Sequence, residues 1–271
     1  MAPLVSYDLV ARNTATASSN KIHADDVARQ YGFAGGLVPG VDVYAYLTHV
    51  PAAAWGAGWL ESGTMQARFL TPVYDGAVIE VVPGASLENE FGTLVTLQVV
   101  DEGRHVCATA EARQPSTRAI VPSLAAWPEV SPRDERPPAS PTSLAPATQL
   151  AIPLRTFHAD RAGEYLDEVN ETLPLFAASG VAHPGWLLRM ANEVLGGNVV
   201  LGPWIHVGSS VQHHSVVTDG DSVCARAIVS AEWEHKGHRF VRLDVVILTG
   251  DERVVARVDH TAIYEPRRIV G

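Results

Sequence analysis

Two segments decide how this chain is read: LVPGVDVYAYL (residues 37–47) and AHPGWLLRMAN (residues 182–192). Each places Pro-Gly at the head of an apolar, helix-compatible stretch, running from Val41 to about Trp55 and from Trp186 to about Gly196. Proline is favoured in the first turn of a helix, where its missing N–H costs nothing. Gly40 lies over Gly185 at an offset of 145 residues. Asp-Gly turns follow in both copies, at Asp75 and Asp219, and LVTLQVV (94–100) then lies over FVRLDVV (240–246). Three matches held near one offset read as an internal duplication.

After each helix come runs rich in Val, Ile, Thr and aromatics, broken by glycine turns. In the first copy these are MQARFL, VIEVV, LVTLQVV and HVCATAEA; in the second they are GSSVQHHSVV, SVCARAIVSAEW, FVRLDVVIL and VVARVDHTAIY. One long helix followed by an antiparallel meander predicts an α+β unit, built twice. Half of the 18 prolines lie from Pro115 to Pro153. That run reads as an extended connector, because proline fixes φ and removes donors. The expected organisation is therefore 1–114, a linker over 115–150, and 151–271.

The 271 residues are 46% apolar and 18% charged, which excludes extended disorder and suffices for a large core. A net charge of −10 argues against a general nucleic-acid binder, which must neutralise phosphates. The most apolar stretch, VPAAAWGAGWL (50–60), is far shorter than the roughly 20 residues that span a bilayer. No secretory signal is visible, and two cysteines, Cys107 and Cys224, suit a reducing compartment, so a soluble cytoplasmic protein is expected.

The turn ahead of the first helix, SNKIHADDVARQYGF (19–33), resembles the signature of the MaoC-like dehydratases and (R)-specific enoyl-CoA hydratases. That signature reads roughly Asp-x-Asn-Pro-x-His, then Asp, Ala and Gly-Phe. Asn20, His23, Asp25, Ala28, Gly32 and Phe33 match it; Lys21 replaces the proline, and Ser18 stands where the catalytic aspartate would be. In the second copy Glu171 falls on the aspartate position and Pro174 on the proline, but Phe176 replaces the histidine. The resemblance implies a double hotdog: two antiparallel sheets, each wrapped around a central helix.

It also implies interconversion of 2-enoyl and 3-hydroxyacyl thioesters of CoA or acyl carrier protein. That chemistry needs a base to activate water and donors to hold charge on the thioester oxygen. An imidazole suits the first role, because its pKa lies near neutrality. A helix N-terminus suits the second, because its N–H groups are unpaired. The resemblance assigns His23 as base, Asn20 as a residue orienting water or the histidine loop, and Gly40, beside Val41, as oxyanion donor. The second copy is expected to be mostly structural, its altered turn leaving room for the substrate tail.

Asp42 is a further candidate: two residues into the helix, it could activate water for thioester hydrolysis, or simply favour the positive helix end. A catalytically degenerate subunit or acyl-binding module is the non-enzymatic alternative. A homodimer or a second hotdog chain is a possible partner; no cofactor is expected. His213-His214 and His235-x-x-His238 lack a third ligand of fixed spacing, so no metal is expected. Gly35-Gly36 and Gly196-Gly197 lack the context of a dinucleotide site, and no GxSxG elbow occurs. Trp55, Trp59, Trp186 and Trp204 are expected to pack the helix or line an acyl tunnel.

Overall fold

Both Pro-Gly segments open helices in the computed structural model, which describes residues 3–132 and 135–267. The first half runs β1 (Tyr7–Val10), α1 (Asp25–Gln30), α2 (Gly40–Trp55), α3 (Ala57–Ser62), β2 (Thr64–Phe69), β3 (Val78–Asn89), β4 (Gly92–Asp101) and β5 (Val106–Pro115). The second runs β6 (Gln149–Thr156), α4 (Ala159–Glu168), α5 (Pro174–Ser179), α6 (Pro184–Asn198), β7 (Ile205–His213), β8 (Ser222–His235), β9 (His238–Thr249) and β10 (Val254–Glu265). Eight of these strands coincide with the β-rich runs of the sequence. The short β1 and the proline-containing β6 do not.

The strands form one sheet, ordered β1-β3-β4-β5-β2-β7-β10-β9-β8-β6. Each half repeats the same antiparallel order, mirrored about the middle. The expectation of two separate sheets is corrected here. β2 and β7 would each end a half-sheet with a row of unpaired N–H and C=O groups, and they satisfy one another instead. They pair antiparallel from Thr64↔Gln212 to Arg68↔Gly208. Gly208 permits the close approach, since a Cβ there would lie 2.8 Å from the Ala67 carbonyl oxygen.

α2 is buried along almost its whole circumference, which explains why its sequence shows no polar face. It packs on β3, β4 and β5 and also on β7, across the seam. α6 packs on β6, β8, β9 and β10, and the two helices touch each other. Their contact is tight at Gly185, where a Cβ would lie 2.6 Å from that of Ala45. Part of the connector between β5 and β6 lies against the second half. Trp127 is buried against Val246, Leu248 and Val254, and its Nε1 donates to the Asp244 carbonyl at 2.9 Å. This accounts for the unbroken apolar run Val245–Leu248: Val245 and Ile247 join the main core, while Val246 and Leu248 are covered by Trp127.

Candidate active site

The loop between β1 and α2 is pinned by Asn20. Its Oδ1 accepts from the Ile22 N–H at 3.3 Å, capping a single 3-10 turn, Lys21–His23. The same oxygen accepts from Trp204 N at 3.1 Å, and Nδ2 donates to the Trp204 carbonyl at 3.0 Å. Asn20 thus ties the first half's loop to the segment leading into β7. Ile22, packed with Ala28 and Leu37, anchors the turn from below.

This arrangement fixes the His23 ring. Nδ1 lies 2.7 Å from the Leu37 carbonyl oxygen, which can only accept, so Nδ1 carries the proton. Nε2 is left with its lone pair, approached by Asn20 Nδ2 at 3.2 Å. Burial lowers the pKa of His23, outweighing the opposing effects of the Leu37 carbonyl and Asp42, so the ring is neutral at neutral pH. No carboxylate is hydrogen-bonded to it among the described residues. Asp25 accepts from Gly36 N and pairs with Arg29 on the surface. Ser18, at the expected aspartate position, accepts from Asn20 N at 3.1 Å.

His23 stands between two spaces. An inner cavity of about 210 Å³ is bounded by His23, Val38, Gly40, Phe69, Cys107, Trp204 and His206, among others. A more open cleft of about 700 Å³ adjoins it, bounded by Ser18, Val41, Arg155, Arg189 and Gly196, among others. Asn20, His23, Pro39, Asn192 and Trp204 border both. α2 begins at the inner cavity. Its N-cap, Pro39, offers no side-chain acceptor, so the first helical N–H groups, those of Gly40 and Val41, have no partner within the helix. A Cβ at Gly40 would lie 2.9 Å from His206 Nδ1 and 3.0 Å from the Phe69 ring.

Asp42 is fully buried and borders neither space. Its Oδ1 accepts from Arg189 Nη2 at 2.9 Å and Nε at 3.2 Å, and its Oδ2 from Thr14 Oγ1 at 2.6 Å. Glu171 does not approach His23 either. It lies beneath α6, with Oε1 2.8 Å from His49 Nδ1 and Oε2 3.5 Å from His183 Nε2. Burial opposes its ionisation, but His183 and His49 outweigh burial and hold it at about 2. Among the tryptophans, Trp204 lines both spaces, whereas Trp59 is fully buried against Trp55 and His213.

The second half contributes more to the cavity than its sequence suggests. Asn192, Trp204, Ile205, His206, Val207 and Ile263 all come from it. His206 is the notable omission from the sequence reading. The available signal was polar side chains at inward positions of neighbouring strands: His206, Ser209 and His213 on β7 and His260 on β10 are all buried. No cluster of His, Cys, Asp or Glu able to hold a metal occurs among the described residues, and no helix there is long and apolar enough to cross a membrane.

The sequence matches no family model and no curated protein. Its structure is similar to several solved ones. A protein named as a MaoC domain dehydratase from Chloroflexus aurantiacus aligns with a TM-score of 0.62 at 12% identity, over 98% of this chain and 96% of that one. A conserved hypothetical protein from Mycobacterium tuberculosis with a double hotdog fold aligns at 0.59 and 13% identity, over 97% and 96%. A protein named as a thioesterase from Novosphingobium aromaticivorans aligns at 0.59 and 10% identity, over 97% and 96%. At such identities the likeness speaks to architecture, and the architecture is that of a double hotdog.

Proposed function

We propose that the protein is an acyl-thioester hydratase/dehydratase, interconverting 2-enoyl and 3-hydroxyacyl thioesters of CoA or an acyl carrier protein. The observation that carries this reading is the neutral His23 ring, its Nε2 lone pair bordering the same cavity as the uncapped start of α2. The acyl chain occupies the inner cavity and the carrier lies in the open cleft. Water replaces the long Asn20 contact at Nε2. It gives a proton to Nε2 as its oxygen bonds to C3. The C2–C3 π electrons shift toward the thioester oxygen, which the Gly40 and Val41 N–H groups stabilise. The imidazolium then returns that proton to C2. One imidazole closes the proton balance, so Ser18 in place of an aspartate is compatible with the reaction.

Hydrolysis by Asp42 is the less favoured reading, because both its oxygens are taken by Arg189 and Thr14 and it borders neither space. Enoyl-CoAs of increasing chain length, followed by loss of the ultraviolet absorbance of the conjugated thioester, test the assignment. A thiol reagent run in parallel reports hydrolysis. Consumption of the enoyl thioester without thiol release supports hydration. Thiol release, or no turnover at any chain length on CoA or carrier protein, overturns it.

A further inference from the structure

We infer that His206, contributed by the second half, is a catalytic residue that donates from Nδ1 to the thioester oxygen, beside the helix amides at Gly40. The inference rests on the acyl-thioester reading above. His206 is 6% exposed, and its Nδ1 is buried without a hydrogen-bond partner. That atom lies 2.9 Å from where a Gly40 Cβ would be, facing the start of α2. An unpartnered polar atom in such a place is costly unless something outside the chain satisfies it.

The hydrogen-bond chain behind the ring selects the tautomer. His206 Nε2 is 2.8 Å from Ser209 Oγ, which is 3.0 Å from His260 Nδ1, and His260 Nε2 is buried without a partner. The single hydroxyl proton allows two arrangements. In one, Ser209 donates to His260, which leaves an unpaired N–H at His260 Nε2 in the core. In the other, His260 donates to Ser209 and Ser209 to His206, which leaves only an unpaired lone pair there. The second arrangement moves the unpaired N–H from the closed core to His206 Nδ1, beside the inner cavity where a ligand can accept from it, and is favoured for that reason. It puts a proton on His206 Nδ1.

A corresponding ring in the other half shows what the alternative looks like. His183 Nδ1 accepts from the Gly185 N–H at 3.0 Å and closes the start of α6. His206 makes no such bond to α2. At α2, therefore, the uncapped Gly40 and the His206 ring border one cavity, with no acceptor for Nδ1 among the described residues. The group that suits them is an oxygen gaining negative charge. Burial, aided by His260 and opposed by the Gly208 backbone, holds His206 well below its ordinary pKa, so it acts as a neutral donor.

The test reads the oxygen directly. Butyryl-CoA, which cannot be hydrated, is bound to the intact protein and its thioester carbonyl stretch is recorded by isotope-edited infrared difference spectroscopy. In the wild type the band falls below its position in water. His206→Leu should move it most of the way back, and His206→Asn, whose amide can reproduce the Nδ1 donor, should keep most of the shift. Ser209→Ala, which removes the tautomer lock, should give an intermediate band and serves if the leucine variant fails to fold. An unchanged band in His206→Leu, or in Ser209→Ala where that stands in, overturns the inference, as does a wild-type band at its position in water. A shifted band that depends on His206, in a protein that does not hydrate enoyl thioesters, removes the proposed reaction and leaves this assignment standing.

Discussion

The two Pro-Gly helix starts descend from one motif and end up in opposite states. At α2 the residue before Pro-Gly is Val38, the cap is Pro39, Gly40 borders the inner cavity and Val41 the open cleft. At α6 the equivalent residue is His183, which folds back to bond the Gly185 N–H. Ala45 closes on Gly185 from α2, and Tyr165 Oη occupies the space a side chain there would need. Glu171 sits behind His183 as a buried anion. A duplicated fold supplies two positive helix ends, and the residue ahead of Pro-Gly decides which is closed by a side chain. The second half then serves the open end, lending His206, Trp204 and Asn192 to the cavity of the first.

The sharpest way to break this contrast is to remove the two histidines in turn. His23→Ala should cut enoyl-thioester turnover by on the order of a hundred- to ten-thousand-fold, the usual worth of a general base. His183→Ala should leave turnover per folded molecule within a few-fold and lower stability instead. It takes from Glu171 one of its two imidazole partners, and breaking a buried pair costs about 3 kcal/mol or more. Steady-state rates and urea unfolding separate the effects; loss of turnover in His183→Ala with unchanged stability would place catalysis at the wrong helix.

Asp42→Asn bears on the same contrast from the helix interior. Arg189 crosses from α6 to Asp42, so the pair braces one helix against the other. Neutralising Asp42 should destabilise the fold by about 3 kcal/mol while hydration per folded molecule persists. Abolished thiol release with intact stability would revive Asp42 as a hydrolytic base.

The two glycines give a smaller, paired effect. Gly185→Ala drives a methyl into Tyr165 and Ala45 and should cost about 1–3 kcal/mol by overpacking, with little change in turnover. Gly40→Ala meets His206 and the Phe69 ring at the cavity wall. It should disturb stability less and turnover more. Equal losses of stability without any loss of turnover would mean that both starts are merely packed.

Much of this was legible in the sequence, for identifiable reasons. The duplication, both long helices and eight strands follow from patterns local in the chain. β1 and β6 escaped because four residues are too few for a period, and because Pro153 and a register shift between Ile152 and Arg155 interrupt the other. The Asn20 and His23 turn was visible because its cap and the Asn20–His23 contact are local, whereas its bonds to Leu37 and Trp204 are not. His206 was not, since its approach to Gly40 depends on the β2–β7 seam and on a register shift between Thr261 and Ala262. Its neighbours Ser209 and His213 mark a buried polar face of β7, not that approach. The burial of Asp42 was hidden for the complementary reason: its partner, Arg189, lies 147 residues away.

Acid should separate the chemistry from the fold. Burial holds His206, His213 and His260 neutral, His213 down to about 4 and His260 to about 3, against an ordinary 6.5. The unfolded chain takes up these protons first, so their stabilisation is complete above 6.5 and is lost as pH falls toward 3. Glu171, held at about 2 against an ordinary 4.5, adds stability that is present above 4.5 and lost between there and about 2. Melting temperature should therefore be flat at neutral pH and decline in two overlapping stages. His213→Phe flattens the upper stage and Glu171→Gln the lower. Turnover follows His23 alone: its lowered pKa places the acid limb of kcat/KM below 6.5 and leaves the rate level through neutrality. A limb that shifts in Glu171→Gln would couple the closed helix start to the open one, and the separation between the halves would fail.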